Sequence, residues 1–470
     1  MQGIRDSYAY YLYRILQAWL SRQWQESLAV RWVTGQTPVH PSVFGNWLSV
    51  KLLGFLQNLI RKLKLDRLLS GSIFLHPALF AVGALALAPI LPTMGLLALA
   101  GSGLVSLLLR ISLGQSLSTG NIGRYVLLYA AIYLYATATS ATLRGSLLPG
   151  LLTTAFVLFY FVVAGSNFTQ QQVQQAVAAI TLAGGLVALY GFYQMAFPER
   201  FRSVWTDTDM FSSITFRVYS TLENPNVLGE YFLLVLPLSA ALMLTARTWP
   251  GRILCLAACG AMGICLIATY SRGCYLGILL AILLFLILLD RRFLLLAIVA
   301  IVLSPLYLPD SVFTRLTSIG NLTDSSTSYR VYIWMGTLAM LKDYWFCGIG
   351  PGTAAFNQVY PEYAYNAIAA PHSHNLFLQI VCDSGICGIL IFLLLIVSFY
   401  RMMFTAIHRE QDRTARVFQI AGVSAVSGFL LQSMTDYTFY NYRVMLLFWG
   451  VLGLCVVFCR IGTSKSGGVS

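Results

Sequence analysis

Three short polar sequences carry arginines that could bind a phosphate-bearing ligand. Arg217 precedes an Asn-Pro-Asn turn, Arg272 lies in Tyr-Ser-Arg-Gly between two apolar runs, and Arg330 lies in Ser-Tyr-Arg-Val-Tyr-Ile-Trp. A guanidinium group stays charged and binds a diphosphate through parallel hydrogen bonds. An arginine held between two apolar runs generally faces protein or a water-filled cavity and marks a functional site. The alternative at each position is an interfacial anchor or, for Arg330, a solvated helix face.

A fourth sequence, Pro-His-Ser-His-Asn, contains two of the chain's five histidines, His372 and His374, just before an apolar run. A histidine titrates near neutral pH, so it could take a proton from an acceptor hydroxyl as a general base. The alternatives are a helix cap and a metal pair. Zinc catalysis uses three protein ligands, and no third ligand stands at close spacing, so we predict no metal and no cofactor.

Together these residues predict a transferase that acts on a diphosphate leaving group. Fixed positive charge can stabilise the departing diphosphate without Mg²⁺, while a histidine deprotonates the acceptor. This chemistry fits transfer of a glycan from a polyisoprenyl-diphosphate carrier whose lipid tail lies between membrane helices. The glycine-rich residues 348–352 do not indicate a nucleotide site, because no strand precedes them. A hinge that packs against a helix or a lipid fits them better.

The apolar runs between these sequences indicate an all-α polytopic membrane protein. Of the 470 residues, 58% are hydrophobic and 10% are charged, whereas soluble domains carry roughly 25% charged residues. Uncharged stretches of about 20 residues predict about twelve transmembrane helices, which form one domain over residues 71–463. This composition excludes a soluble enzyme, a disordered chain and a nucleic-acid-binding protein.

The distribution of positive charge predicts which ends of the spans face the cytoplasm. With twelve spans, most of the 30 lysines and arginines fall on the side of the two termini. Because cytoplasmic loops are the more basic ones, we predict that both termini are cytoplasmic and that the arginine and histidine sequences are external. Residues 1–70 form a separate basic segment with amphipathic stretches typical of helices on an inner leaflet. Residues 310–374 form a large external loop between spans nine and ten.

The ordered set of motifs resembles the O-antigen ligase family. The resemblance extends over residues 206–436 and rests on five sequences: Arg217 with Asn224-Pro225-Asn226, Tyr270-Ser271-Arg272-Gly273, Arg330 with Trp334, residues 348–352, and His374-Asn375 with Leu378. The family shares its domain with O-antigen polymerases and with a cyanobacterial protein once proposed as a bicarbonate transporter.

The resemblance implies an inverting, metal-independent glycosyltransferase of the C-type membrane fold in a bacterial inner (cytoplasmic) membrane. Such enzymes move a glycan from undecaprenyl diphosphate to an acceptor hydroxyl on the external, periplasmic face, in polysaccharide biosynthesis for the cell envelope. By motif, Arg217, Arg272 and Arg330 would hold the diphosphate, and His374 would act as the catalytic base. The supporting residues would be His372, Asn375 and Asp436, the last by orienting a histidine or an arginine.

Three functions remain open at this point. A ligase would attach a finished glycan to a lipid, glycan or other acceptor, and a polymerase would use an acceptor that is itself lipid-linked. The third is transport of bicarbonate or another anion. Against transport, the ionisable residues gather at one end of the spans, whereas transporter sites generally lie near the membrane midplane. The predicted partners are the lipid-linked donor, the acceptor and the bilayer, with no nucleic acid.

Overall fold

The structure, a computed structural model, describes residues 75–113, 119–201, 216–293, 310–318 and 325–466, with the single residues 62, 214, 295, 298, 299 and 303. Almost all of these belong to one compact unit, residues 71–111 and 115–470. Within the described ranges every regular element is helical. The predicted amphipathic segment, residues 1–70, lies outside the described residues apart from Lys62 and stays a prediction.

The helices of the described ranges are numbered in chain order. They are α1 (Pro77–Leu87), α2 (Thr93–Ser112), α3 (Gly123–Ala138), α4 (Leu143–Ala164), α5 (Gln170–Ala196), α6 (Pro225–Thr245), α7 (Trp249–Ala268), α8 (Arg272–Leu289), α9 (Asp310–Thr317), α10 (Ser325–Tyr344), α11 (Thr353–Val359), α12 (Leu376–Arg409), α13 (Arg413–Gln432) and α14 (Tyr442–Ser466). Short 3₁₀ turns include Ser220–Leu222 before α6 and Thr438–Tyr440 between α13 and α14.

Nine helices among the described residues are long and apolar enough to cross a membrane: α2, α4, α5, α6, α7, α8, α12, α13 and α14. A multi-pass helical membrane protein is therefore confirmed. Two more of the predicted spans correspond to shorter helices, α1 with 11 residues and α3 with 16. Another, over residues 293–309, lies largely outside the described residues. The count of twelve and the external side of residues 310–374 stay predictions.

Close packing of α8 on α13 brings the start of α8, with Arg272, near the end of α13. A Cβ atom on Gly277 of α8 would lie 2.7 Å from the carbonyl oxygen of Gly428, and one on Gly428 of α13 would lie 2.6 Å from the carbonyl oxygen of Gly277. Small residues of this kind let membrane helices approach each other closely. As a result, Arg272 at the start of α8 lies near Gln432 at the end of α13, and both line one cavity.

Helices α6 and α12 begin with an asparagine N-cap, which fixes where the preceding segments meet the bundle. Asn224 Oδ1 accepts a hydrogen bond from the backbone N–H of Asn226 at 2.8 Å, and Pro225 occupies the first helical turn. Asn375 Oδ1 accepts one from the backbone N–H of Leu378 at 3.0 Å. Because a capping side chain satisfies N–H groups that the helix leaves unpaired, both helix starts are well defined, and Arg217 and the histidine pair lie just before them.

The glycine-rich residues 348–352 pack into a break in α12. Gly385 has a φ of 66°, and a Cβ atom there would overlap the carbonyl oxygen of Phe346. The backbone N–H of Gly350 donates to the carbonyl of Asp383 at 3.2 Å, and the N–H of Ile386 donates to the carbonyl of Trp345 at 2.8 Å. Residues 348–352 therefore pack against α12, one of the two packing partners that the sequence analysis left open, and α11 follows them directly in the chain.

Candidate active site

A cavity of about 330 Å³ lies where the starts of α6 and α8 meet α9, α10 and the end of α13. Four arginines line it: Arg217, Arg272, Arg315 and Arg330. Among the described residues of its lining, none is acidic. A cavity with this charge suits a ligand that carries more than one negative charge, because guanidinium groups bind phosphates and carboxylates in paired hydrogen bonds.

Three of these arginines donate hydrogen bonds to neutral groups, Arg272 and Arg315 to neighbouring elements and Arg330 within α10. Nη1 of Arg272 donates to the carbonyl and to the Oγ of Ser318 at 3.2 and 3.0 Å. In return, Nε of Arg315 on α9 donates to the carbonyl of Tyr270 at 3.3 Å. Nη1 of Arg330 donates to Oγ of Ser326 at 2.6 Å. The reciprocal bonds of Arg272 and Arg315 join α8 to α9 and hold two of the charges at the cavity.

Arg217 is the arginine whose charge the protein environment opposes most clearly. Its Nε donates to the carbonyl of Thr269 at 2.7 Å, and its Nη2 donates to Oδ1 of Asn226 at 2.9 Å. Burial, followed by the positive charges of Arg315 and Arg330, lowers the pKa of Arg217 to about 9. Because like charges in one cavity repel each other, binding of an anion would relieve this repulsion.

Asp436, in the connection between α13 and α14, joins the arginine cavity to the histidine pair. Its Oδ2 accepts a hydrogen bond from Nδ2 of Asn226 at 2.9 Å and lies 3.7 Å from Nη2 of Arg330. Its Oδ1 lies 3.2 Å from Nδ1 of His374 and accepts the backbone N–H of Tyr437 at 2.9 Å. One carboxylate thus faces Arg330 with one oxygen and His374 with the other.

The charge of Asp436 determines which nitrogen of His374 can act as a base. Burial alone would raise the pKa of Asp436, but the hydrogen bond from His374 and the positive charge of Arg330 outweigh burial and hold that pKa below its usual range. Asp436 is therefore a carboxylate at neutral pH and can only accept. Nδ1 of His374 then carries the proton, which leaves Nε2 with a lone pair when the ring is neutral.

His372 is a neutral partner of His374. Its Nδ1 accepts the backbone N–H of His374 at 3.2 Å, and the two ring centroids are 4.2 Å apart. Burial, and then the neighbouring His374, lowers the pKa of His372 to about 3. Since Nδ1 accepts a hydrogen bond in a neutral ring, the proton of His372 is on Nε2.

The backbone at His374 is held in a conformation that costs energy. His374 has a φ of 49°, and Tyr270, two residues before Arg272, has a φ of 50°. The left-handed region costs a residue with a side chain about 1–2 kcal/mol, and such residues concentrate at functional sites. His374 is fixed by its bonds to His372 and Asp436, and its carbonyl accepts Nε1–H of Trp334 at 3.3 Å.

The structure brings together the residues that the sequence singled out. Arg217, Arg272 and Arg330 line one cavity. His374 is not part of the described lining of that cavity, but Asp436 contacts both His374 and Arg330. Asn375 caps α12, and its Nδ2 donates to the carbonyl of Met434 at 2.7 Å. The roles of these residues stay predictions.

Arg315 is the residue that the sequence analysis missed. No motif marks it, and its only sequence signal was its position in the segment that follows the ninth predicted span. In the structure Arg315 belongs to α9, and its buried side chain lines the arginine cavity. Among the described residues, no three histidine, cysteine, aspartate or glutamate side chains cluster closely enough to hold a metal ion.

Comparison with known families bears on residues of this site. Residues 232–393 match the protein-family model described as O-antigen ligase. The matched segment contains Arg272, Arg315, Arg330 and His374, whereas Arg217 and Asp436 lie outside it. A search of curated proteins found no match to the chain. Over residues 232–393, the match supports the resemblance to the O-antigen ligase superfamily that the sequence motifs predicted.

Proposed function

We propose that this protein transfers a glycan from a polyisoprenyl diphosphate carrier, undecaprenyl diphosphate in bacteria, to an acceptor hydroxyl. The observation that carries the proposal is the connection from the four-arginine cavity through Asp436 to His374. A site that binds a diphosphate and holds a base beside it has the two groups that glycosyl transfer requires. The family match supports the ligase and polymerase class of activity.

The arginine cavity would bind the diphosphate of the donor. Four fixed positive charges stabilise the developing charge of the leaving group more in the transition state than in the bound substrate, which is the requirement for rate acceleration. The same charges repel a divalent cation, so the scheme is metal-independent. Leu276 on α8 lines the cavity, and the exposed Leu279 and Ile282 continue along the same helix, which gives the lipid tail an apolar path into the bilayer.

His374 would activate the acceptor. Its Nε2 takes the proton of the acceptor hydroxyl as the acceptor oxygen forms a bond to the anomeric carbon of the donor glycan. The bond between that carbon and the diphosphate oxygen breaks, and its electron pair leaves with the diphosphate. Attack on the face opposite the leaving group inverts the configuration at the anomeric carbon. The carboxylate of Asp436 stabilises the imidazolium that forms.

The reaction would take place at the external face of a bacterial inner membrane, in cell-envelope polysaccharide biosynthesis. The starts of α6, α8 and α12 and the end of α13 contribute to the site. Other arginines lie at or just beyond the opposite ends of these helices, including Arg291 and Arg292 after α8 and Arg416 near the start of α13. Since basic loops are generally cytoplasmic, the site faces away from the cytoplasm.

The test is an assay of the purified full-length protein with an undecaprenyl-diphosphate oligosaccharide and a panel of hydroxyl acceptors. We expect release of undecaprenyl diphosphate together with glycan transfer, unchanged by a chelator. Transfer to a lipid or other unrelated acceptor indicates a ligase, and transfer to a second lipid-linked glycan indicates a polymerase. No release with any acceptor, together with anion flux in proteoliposomes, would contradict the proposal.

A further inference from the structure

A second cavity lies on the His372 side of the histidine pair. It has a volume of about 410 Å³, within the usual range for small-ligand sites, and it lies between α4, the start of α11 and the connection from α13 to α14. Its walls include His372 and three tyrosines, Tyr437, Tyr440 and Tyr442. The proposed transfer of a glycan between two substrates requires a place for the acceptor as well as the donor.

The chemistry of this cavity differs from that of the arginine cavity. Among the described residues of its lining, no lysine, arginine, aspartate or glutamate is present, and its histidine is neutral because burial lowers the pKa of His372 to about 3. The polar groups are hydroxyls and an amide, from Thr153, Thr353, Gln379 and the tyrosines. Such a lining favours a neutral ligand with many hydroxyl groups over a phosphate, which would seek cations, or an acyl chain, which would form no hydrogen bond with His372 or the hydroxyl of Tyr440.

The walls of the cavity combine a fixed side and an open side. Asp383 Oδ1 accepts Nε2–H of Gln379 at 2.8 Å, and Asp383 Oδ2 accepts the hydroxyl of Tyr133 at 3.2 Å, so the amide of Gln379 is held in place. The side chain of Tyr440, in contrast, is 52% exposed. Its ring centroid is 4.7 Å from that of His372. An exposed aromatic ring beside fixed polar groups is suited to contact with the C–H face of a sugar.

His372 connects this cavity to the base. Its Nδ1 is occupied by the backbone N–H of His374, so its remaining polar group is Nε2–H, a hydrogen-bond donor for a ligand hydroxyl. The ring of His374 lies next to the ring of His372, and their centroids are 4.2 Å apart. Asp436 joins His374 in turn to Arg330 and the arginine cavity. The histidine pair therefore separates a cationic cavity from a neutral one.

We propose that the tyrosine-lined cavity binds a neutral sugar unit of the acceptor, so that the acceptor is a carbohydrate. This inference rests on the proposed function. The ring of Tyr440 contacts one face of the sugar, and Nε2–H of His372 donates to one of its hydroxyls. Another hydroxyl gives its proton to His374 as its oxygen bonds to the anomeric carbon of the donor, and the electron pair of the broken bond leaves with the diphosphate. His372 is then a positioning residue for the acceptor.

The test measures acceptor KM and kcat separately in the transfer assay, with a neutral hexose trisaccharide as the soluble acceptor. Tyr440→Ala should raise the acceptor KM by about tenfold, the size of one good aromatic contact, and leave the donor KM unchanged. Tyr440→Phe keeps the ring and should retain most of the affinity. Ala354→Trp places a bulky ring at an exposed position of the lining and should raise the acceptor KM. Because Ala354 packs against Gly145 of α4, a Tm equal to that of the wild type is required to show that this contact is kept.

The control is Tyr365→Ala, which removes a similarly exposed tyrosine that is not in the described lining. Saturation-transfer NMR with the trisaccharide provides a second readout, because binding should weaken in Tyr440→Ala and in Ala354→Trp but not in Tyr365→Ala. An unchanged acceptor KM in both cavity variants, or transfer to a serine-containing peptide but not to the trisaccharide, would overturn the inference while leaving the transferase intact. No release of undecaprenyl diphosphate by the wild-type protein would instead count against the proposed function.

Discussion

Nδ1 of His374 lies 3.2 Å from Oδ1 of Asp436, while Oδ2 of the same carboxylate lies 3.7 Å from Nη2 of Arg330. The two partners are on different elements, α10 and the segment before α12, and Asp436 follows α13. A single side chain therefore sets both the tautomer of the histidine and the position of one arginine. This coupling gives the proposed reaction its geometry, because the base and the leaving-group site are held against the same carboxylate.

Removal of Arg272 or Arg330 should reduce turnover strongly. We expect Arg272→Ala and Arg330→Ala each to lower kcat/KM for the lipid-linked donor by about 10²- to 10³-fold, the usual cost of losing a group that stabilises developing charge. Lysine at either position should restore part of the rate, since it keeps the charge but not the planar fork. The control is Arg252→Ala, an exposed arginine near the start of α7. Activity equal to the control in both variants would rule out the diphosphate clamp.

Arg315 should behave as a fourth member of the cluster. Its burial and its place in the cavity lining predict that Arg315→Ala raises the donor KM by about tenfold or more, because a hydrogen bond to a charged group contributes roughly 1.5–3 kcal/mol. Steady-state kinetics at varied donor concentration would measure this effect. A variant that purifies normally and shows an unchanged donor KM and kcat would make Arg315 a purely structural tie between α8 and α9.

Asp436→Asn should lower kcat by about 10²-fold or more. The amide has nearly the size of the carboxylate, but it no longer enforces the proton on Nδ1 of His374 and no longer stabilises the imidazolium. Asp343→Asn is the matched control, because Asp343 is an exposed carboxylate of α10 whose hydrogen bond joins it to Tyr363. Equal rates for the two variants in the transfer assay would contradict the orienting role of Asp436.

The buried His372 should make the folded protein less stable as the pH falls. Burial lowers the pKa of His372 to about 3 in the folded state, whereas an unfolded histidine has a pKa of about 6.5. Below pH about 6.5 the histidine of the unfolded chain takes up a proton, whereas His372 of the folded protein does not. The contribution of neutral His372 to the free energy of unfolding is therefore fully present above pH about 6.5 and is lost as the pH falls towards 3. His372→Gln should therefore show a smaller drop in Tm between pH 7 and 4 in detergent micelles. A slope equal to that of the wild type would contradict this account.

The sequence singled out three arginines and the histidine pair and suggested that Asp436 orients a histidine or an arginine, but it did not indicate that this one carboxylate contacts both Arg330 and His374. Arg217, Arg272, Arg330 and His374 stand out because a charged or titratable group at the end of an apolar run needs a reason to be there. Arg315 does not stand out, because an arginine in an eight-residue helix resembles an ordinary solvated residue until α9 is seen to pack at the start of α8.

Other features depend on contacts between distant elements and so left no local signal. The neutral state of His372 follows from its burial and from the backbone N–H of His374, and the second cavity forms only when α4 and the start of α11 meet the connection before α14.

The number of membrane spans does not follow from the sequence for a different reason. Helices α1 and α3, with 11 and 16 residues, are shorter than the roughly 20 residues of a typical span, and charge-free length alone does not reveal that.

The central claim is that His374 is the base in glycan transfer from a lipid diphosphate. The measurement is kcat for transfer from an undecaprenyl-diphosphate oligosaccharide by purified wild type, His374→Ala and His408→Ala, the last removing an exposed histidine at the opposite end of α12. We predict that His374→Ala loses about 10²-fold or more of the rate while remaining folded and monodisperse, and that His408→Ala keeps the wild-type rate. Equal rates for all three proteins would contradict the account.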